Sequence, residues 1–272
     1  MTAITVESAR TPRLAAVHVY PIKSAAGLAP LEWEVGPLGF RYDRRWMVAS
    51  ATGGMLSQRS HPRLALIRPT VGDEVLRVET AGMPALELPL DPGPSVTMPV
   101  TIWDEPCIGT WTGERAARWF SEVLDTDCCL VHIAERHARA VDLEYAPPGH
   151  RVGFADGFPF LLISEASLAD LNGRLELPLP MNRFRPNLVI TGIEPFGEDH
   201  IGTFAIGGIR FTPVKPCDRC VVTTTDQGTG ERGVEPLRTL ATYRRSNGKV
   251  LFGQNVLHTG TGRLRVGDPL LV

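Results

Sequence analysis

The sequence predicts a mainly β (α+β) protein with barrel-like sheets and only a few helices. Short apolar or alternating runs of residues recur along the chain, and this length and pattern are typical of strands. The 27 glycines and 23 prolines of the 272 residues provide turns between most of these runs. Helical periodicity is found in three segments only. A chain of this length can form one large or two modest domains.

The predicted strands occupy both ends of the chain. Residues 75–79 (VLRVE) alternate between apolar and polar side chains, as in a half-buried strand. Residues 86–90 (LELPL) do the same, and their proline favours the edge of a sheet. Apolar or β-branched runs predict the remaining strands at residues 14–22, 46–49, 64–68, 96–103, 250–257 and 264–272.

Three helices are predicted between these strands. The first presents one apolar face, made by Ala116, Trp119, Phe120, Val123 and Leu124. The second begins at Ser164, a residue type that caps helix N-termini, and is followed by leucines along one side. The third covers residues 235–245. The segment 138–158 is rich in proline, glycine and charge, which predicts a linker or a lid.

Composition restricts the possible partners and compartment. A formal net charge of −2 argues against a general nucleic-acid binder, although it allows a local basic pocket. The five cysteines are an odd number without the spacing of a disulfide framework, so we expect a reducing cytoplasm. No run reaches the roughly 18 apolar residues of a membrane span, and we expect no membrane partner.

The most informative motif is the pair Cys217 and Cys220, with Lys215 and Arg219 beside it. A nearby positive charge favours the thiolate, which attacks electrophiles and binds soft metals. The pair is therefore consistent with a redox dithiol, half of a zinc site, or a thiolate ligand in an open metal centre. Two ordinary half-buried cysteines at the start of a strand are the alternative without a function.

The surrounding sequence weakens two of these interpretations. A closed zinc site needs four ligands, but Cys128 and Cys129 are adjacent, and His132 and His137 are five residues apart. A thioredoxin-like dithiol lies at a helix N-terminus, whereas residues 221–225 (VVTTT) predict a strand. The sequence thus predicts a cysteine on a strand edge, facing either a ligand or the core.

Several blocks in order resemble a known family. Residues 20–24 (YPIKS) and 39–46 (GFRYDRRW) resemble the β-barrel domain that precedes MOSC (molybdenum-cofactor sulfurase C-terminal) domains. Five later blocks resemble the MOSC domain itself: residues 162–172 (LISEASLADLN), 184–187 (FRPN), 217–220 (CDRC), 251–254 (LFGQ) and 266–269 (VGDP). The pattern is similar to that of the mitochondrial amidoxime-reducing components and their bacterial counterparts. The resemblance implies an N-terminal MOSC β-barrel domain at 13–130 and a MOSC domain at 131–272.

The resemblance also implies a molybdenum cofactor (molybdopterin), with Cys220 as the catalytic residue and the metal ligand and Cys217 as a neighbour. A soft thiolate suits such a metal, and an open coordination sphere does not require a four-ligand set. The matching blocks suggest that Lys23, Arg44 and Arg185 hold the cofactor's phosphate. Hydrogen bonds to the cofactor are expected from four further residues, Ser24, Ser164, Ser167 and Asn187.

The function implied by the resemblance is a molybdenum-dependent oxidoreductase that reduces small N-hydroxylated compounds. The chain shows neither an anchor nor a ferredoxin domain, so we expect electrons from a separate ferredoxin, flavodoxin or cytochrome b5-like protein and its reductase. A carrier that delivers the molybdenum cofactor or sulfur on Cys220 is the alternative. A carrier needs an exposed cysteine, whereas an enzyme needs a lined substrate cavity beside the metal.

Overall fold

A computed structural model describes residues 11–93 and 96–272 of the chain. Strands dominate this part, and the mainly β class predicted from the sequence is confirmed. The helices are α1 (Glu114–Leu124), α2 (Glu165–Asn172) and α3 (Leu237–Leu240). The strands are β1 (Arg13–Val17), β2 (Glu32–Gly36), β3 (Gly39–Phe40), β4 (Trp46–Ser50), β5 (Arg68–Val71), β6 (Val75–Glu79), β7 (Leu86–Pro89), β8 (Thr97–Ile102), β9 (Glu105–Trp111), β10 (Cys128–His132), β11 (Arg139–Ala140), β12 (Arg151–Val152), β13 (Phe160–Ser164), β14 (Leu188–Thr191), β15 (Phe204–Ile206), β16 (Ile209–Asp218), β17 (Arg245–Ser246), β18 (Lys249–Thr259) and β19 (Gly262–Arg265).

The largest sheet is a nearly closed barrel. Its strand order is β1-β14-β13-β18-β16-β15, with β17 paired to the start of β18. The C-terminal segment joins the two edges, because Pro269 bridges Arg13 in β1 and Leu271 bridges Ala205 in β15. Aromatic and aliphatic side chains such as Phe160, Phe211 and Val256 fill its core. We call this sheet the barrel.

A second group of strands forms what we call the smaller lobe. It contains the sheet β4-β10-β9-β8 and the meander β5-β6-β7. The apolar face of α1 packs against both, and Trp46, Leu76 and Phe120 are fully buried in the shared core. The meander shows the alternation that the sequence predicts, since Leu76 and Val78 are buried while their neighbours in β6 are exposed.

The N-terminal segment of the chain crosses between these two groups of strands. Strand β1 pairs with β14 of the barrel, and β2 pairs with β19 near the C-terminus. The chain then passes into β4 of the smaller lobe. The domain boundary near residue 130 stays a prediction, and the strand pairing shows that residues 13–40 contact the C-terminal half.

Three of the local predictions need correction. Residues Pro62–Leu66 form a 3-10 turn in place of the predicted strand at 64–68, with proline in the first turn, and β5 starts only at Arg68. The third helix covers Leu237–Leu240, which is much shorter than 235–245. After Cys220 the chain forms a 3-10 turn, Val221–Thr224, and not a strand. The hydroxyls of Thr223 and Thr224 donate to the carbonyls three residues earlier, which stabilises the turn over an extended chain.

None of the helices within residues 11–93 and 96–272 combines the length and the apolar character needed to cross a bilayer.

Candidate functional site

A cavity of about 850 Å³ has walls from both halves of the chain. Its lining includes residues near position 23, the hairpin between β8 and β9, the segment 139–161 and the region around the two cysteines. Five carboxylates and seven cations line it, and the cations are Lys23, Arg44, Arg59, Arg139, Arg185, Lys215 and Arg219. The lining is therefore net positive in a chain of net charge −2, as expected of an anion site.

Both cysteines of the motif line this cavity: Cys217 lies at the end of β16, and Cys220 lies two residues beyond that strand. Nη1 of Arg219 donates to Sγ of Cys217 at 2.9 Å, and Nη2 donates to the carbonyl of Phe184 at 2.6 Å. Burial raises the pKa of the Cys217 thiol, and the positive charge of Arg219 opposes that rise. Cys217 also packs against the apolar cluster that contains Phe184. Cys220 is half-buried and directly precedes the turn at 221–224.

Arg44 and Arg185 line the cavity and share one aromatic support. Their guanidinium carbons lie 4.3 and 4.2 Å from the ring centroid of Tyr20, which is within cation–π range. Arg44 Nη2 donates to the carbonyl of Arg185 at 3.3 Å, and Arg185 Nη1 donates to the carbonyl of Ala25 at 2.6 Å. Burial lowers the pKa of Arg185 to about 10, so it stays charged at neutral pH.

Asn187 lines the cavity, and its amide is engaged within the protein. Its Oδ1 accepts from Arg44 Nη1 at 3.0 Å, and its Nδ2 donates to Asp43 Oδ1 at 3.1 Å. Arg44 Nη1 also donates to Asp43 Oδ2 at 2.6 Å. Asp43 is buried, and its desolvation raises the pKa of its carboxyl while Arg44 lowers it. The contacts thus assign Asn187 to orienting Arg44.

Lys23 is buried at the cavity wall and holds an acidic partner. Its Nζ donates to Asp156 Oδ1 at 2.5 Å and to the carbonyl of Phe154 at 2.8 Å. Burial lowers the pKa of Lys23, and Asp156 opposes this effect. Asp156 lies inside the cavity although 74% of its side chain is open to solvent. Desolvation raises its pKa, but the Lys23 ammonium outweighs that effect and lowers it to about 2.

Three of the predicted site residues have backbones in the left-handed region. The φ angles are 67° at Ser24, 45° at Arg44 and 56° at Arg185. Residues with a Cβ avoid this region, and such strain persists where the surrounding structure enforces it, often at functional sites. All three line the cavity together with Lys23 and Cys220.

Ser164 and Ser167 are not brought to the cavity. Ser164 caps α2, as predicted, because its Oγ accepts from the backbone N–H of Ser167 at 3.0 Å. The Ser167 hydroxyl donates to Glu198 Oε2 at 2.8 Å, and the backbone N–H of Ser164 donates to Glu198 Oε1 at 3.1 Å. All three side chains are buried, so their polar groups satisfy one another inside the protein. This network engages both serine hydroxyls within the protein, and their role in cofactor binding stays a prediction.

Several cavity residues were missed by the sequence analysis. Arg139 Nη1 donates to the carbonyl of Ala155 at 2.7 Å, and its Nη2 bonds Glu105 at 2.5 Å. Trp103 and Asp156 also line the cavity. Arg139 and Asp156 lie in the segment 138–158, where the sequence indicated only a linker or a lid. Its concentration of charge was the single available signal.

The fold and site define a two-part β protein with a thiol-bearing cationic cavity, which is a class suited to an anionic cofactor. Comparison with protein families matches residues 11–127 to the MOSC N-terminal beta barrel domain and residues 149–271 to the MOSC domain. The chain therefore belongs to the family of MOSC-domain proteins that carry this N-terminal barrel domain.

The similar proteins include mitochondrial amidoxime-reducing components and molybdenum cofactor sulfurases. The chain is 36% identical to the mitochondrial amidoxime-reducing component 1 of Mus musculus, over 94% of this chain and 81% of the relative. It is 35% identical to the protein of the same name from Homo sapiens, over 94% of this chain and 82% of the relative. It is also 35% identical to the molybdenum cofactor sulfurase of Arabidopsis thaliana, over 91% of this chain but only 33% of that protein. These similarities support a function related to the molybdenum cofactor.

Among solved structures, the YuaD protein of Bacillus subtilis is similar with a TM-score of 0.45 and 9% identity, over 96% of this chain and 94% of that chain.

Proposed function

We propose that the protein is a molybdenum-cofactor oxidoreductase that reduces N-hydroxylated compounds. The observation that carries the proposal is that Cys220, Lys23, Arg44 and Arg185 line one cavity. A soft thiolate and phosphate-binding cations are the two ligand types that a molybdopterin cofactor needs. When bound, the cofactor supplies the two-electron chemistry, and the protein supplies binding and orientation.

The donors of the cavity fit such a group. Lys23 has three N–H donors, and its contacts with Phe154 and Asp156 engage two of them. Arg185 has five, of which the contact with Ala25 engages one. Within the described residues, the buried Nε atoms of Arg139 and Arg219 have no partner. The remaining donors of Lys23 and Arg185, in a net positive cavity lining, support a bound anion.

The side chains divide the work as follows. Lys23, Arg44 and Arg185 would hold the phosphate, and Ser24 lies beside them with its backbone carbonyl fixed by Gln58 at 2.7 Å. Cys220 would bind the metal. In the overall reaction the N–O bond breaks and two electrons and two protons are consumed: the hydroxyl oxygen takes up one proton and leaves as water, and the nitrogen takes up the other.

The position of Cys220 favours an enzyme over a carrier. A carrier has to present its cysteine to another protein, whereas Cys220 is half-buried in a cavity with room for more than one small molecule. We further propose that a separate ferredoxin, flavodoxin or cytochrome b5-like protein delivers the electrons in the cytoplasm. The five cysteines, all without disulfides, support a reducing compartment.

The test is a pair of cysteine variants made in a host that synthesises the molybdenum cofactor. Wild-type protein should contain roughly equimolar molybdenum and pterin, and should reduce an amidoxime with a chemical electron donor. Cys220→Ser should abolish molybdenum-dependent activity, because the metal loses its thiolate. Cys217→Ser should retain most of it, since Cys217 packs against the core. Equal loss in both variants would contradict the ligand assignment and favour a dithiol mechanism.

A further inference from the structure

Trp103 occupies an unusual position at the tip of a hairpin. Strands β8 and β9 are joined by two residues, Trp103 and Asp104, and Ile102 pairs with Glu105 across the turn. The φ angle of Trp103 is 55°, a region that favours glycine, asparagine or aspartate. The side chain is 38% exposed and lines the cavity. Neither core packing nor turn chemistry accounts for a tryptophan here.

The face of this indole already carries a flat, conjugated group. The guanidinium carbon of Arg59 lies 4.1 Å from the ring centroid, which is a stacking distance. Lys23 Nζ lies 5.9 Å from the same centroid, so the ring is close to the predicted phosphate-binding cations. Arg59 is exposed, and therefore it can leave the ring without breaking a buried contact. A guanidinium has the flat carbon–nitrogen framework found in amidines and amidoximes.

The same cavity offers further aromatic and acidic surface. Tyr145 and Phe158 line it, and their rings are 5.8 Å apart in an edge-to-face arrangement. Asp104 and Asp142 are exposed lining residues. Aromatic rings favour other flat π systems, and carboxylates favour weakly basic or cationic ones. All five carboxylates of the lining are exposed, whereas six of its seven cations are buried or half-buried, so the acidic groups lie on the open side of the cavity.

We propose that Trp103 forms a subsite that selects flat, conjugated N-hydroxylated substrates such as aryl amidoximes. The substrate stacks on the indole where Arg59 lies in this structure, with its N–O group directed toward the cofactor site. This inference rests on the proposed function and specifies its substrate class. Trp103 acts by binding substrate, and the reduction of the N–O bond proceeds as written above.

Two amidoximes of matched size test the subsite. Benzamidoxime and cyclohexanecarboxamidoxime share the reacting group and carbon number, but only the first has a flat ring. We expect wild-type protein to favour benzamidoxime by about three- to tenfold in kcat/KM, as one aromatic contact allows. Trp103→Leu should reduce that ratio to about one, and Trp103→Phe should preserve most of it. Rates are expressed per molybdenum. Leu177→Ala, an exposed apolar residue outside the cavity lining, should keep the wild-type ratio.

Calorimetry with the two product amidines separates the subsite from the reaction. Wild-type protein should bind benzamidine more tightly than cyclohexanecarboxamidine, and Trp103→Leu should lose that difference. If wild-type protein reduces neither amidoxime, the proposed function is contradicted, while the binding preference still decides the role of Trp103. An unchanged preference in Trp103→Leu, with normal thermal stability, would overturn the subsite. If leucine and phenylalanine lower the preference equally, stacking is also the wrong explanation.

Discussion

Tyr20 offers a test of the cofactor pocket through a residue outside the cavity lining. Its ring supports Arg44 and Arg185, and each cation–π contact contributes about 0.5–2 kcal/mol. Tyr20→Leu removes both contacts and releases two charges that repel each other. If each arginine holds phosphate with about 1.5–3 kcal/mol, loosening one should weaken cofactor retention roughly ten- to a hundredfold.

The phenylalanine variant separates the ring from the hydroxyl. Burial raises the pKa of Tyr20 to about 12, so the hydroxyl is neutral at pH 7, and no partner for it is found in the described chain. An unsatisfied buried hydroxyl costs about 1–3 kcal/mol. Tyr20→Phe should therefore keep the cofactor and raise the free energy of unfolding by about 1 kcal/mol. Gly27→Ala should lose cofactor as Tyr20→Leu does, because a Cβ at position 27 would come within 2.4 Å of Tyr20 Cε1 and displace the ring.

The assay measures molybdenum and pterin per protein together with urea unfolding. Tyr20→Leu and Gly27→Ala should lose cofactor, and Tyr20→Phe should not. Full cofactor content in Tyr20→Leu would show that the arginines do not need the ring. Equal cofactor loss in Tyr20→Phe and Tyr20→Leu would show that the hydroxyl, and not the aromatic face, holds the pocket.

Two further predictions concern acid stability and phosphate binding. Burial lowers the pKa of His132 to about 4, so the unfolded chain takes up the proton first as pH falls below about 6.5. The stability that His132 contributes above pH 6.5 is then lost toward pH 4, and the loss is about 2 kcal/mol at pH 5. The urea midpoint of His132→Phe should therefore fall less between pH 7.5 and pH 5 than that of the wild-type protein. An equal fall in both proteins would refute this. Arg185→Lys should lose cofactor about ten- to a hundredfold, because lysine cannot hold Ala25, Tyr20 and phosphate together. The exposed Arg245→Lys is its control, and full occupancy in Arg185→Lys would make Arg185 structural.

Only one of the two arginines at the end of the predicted third helix is suitable as a silent control. Arg244 and Arg245 both belong to the predicted third helix, where they would lie on an outer face. In the structure Arg244 Nη2 bonds Asp199 Oδ2 at 2.5 Å, and its side chain is only 18% exposed. Arg245 starts β17 and is exposed. Because α3 ends at Leu240, neither arginine lies on a helix, and only Arg245 is suitable as a control whose substitution should leave cofactor content unchanged.

Local patterns predicted those elements whose cause is local. The alternation in residues 75–79 corresponds to β6, and the apolar spacing around Trp119 corresponds to α1. Ser164 caps α2 because the capping bond joins residues three apart. The strand predicted at residues 221–225 was wrong because β propensity does not account for the hydroxyls of Thr223 and Thr224, which donate to the backbone and stabilise a turn.

Contacts between distant residues explain what the sequence could not predict. Ser167 fits the motif of the family, but Glu198 lies 31 residues away and engages its hydroxyl. Arg139 reaches the cavity because β11 pairs with β12 and its guanidinium spans to Glu105, 34 residues earlier. Neither partner follows from spacing along the chain. Motif resemblance therefore located the cavity's cations better than its hydrogen-bonding residues.

The left-handed backbones of the site show why its geometry belongs to the whole fold. Arginine has no intrinsic preference for positive φ, so Arg44 and Arg185 need external contacts to stay there. Tyr20, Asp43 and Asn187 provide these contacts, and they join residues 20–44 to residues 185–187. Strand β1 brings these two segments together, because it pairs with β14, which begins directly after Asn187. The insertion of the N-terminal strand into the barrel thus fixes the positions of the two arginines, and a change that loosens β1 should loosen the cofactor pocket with it.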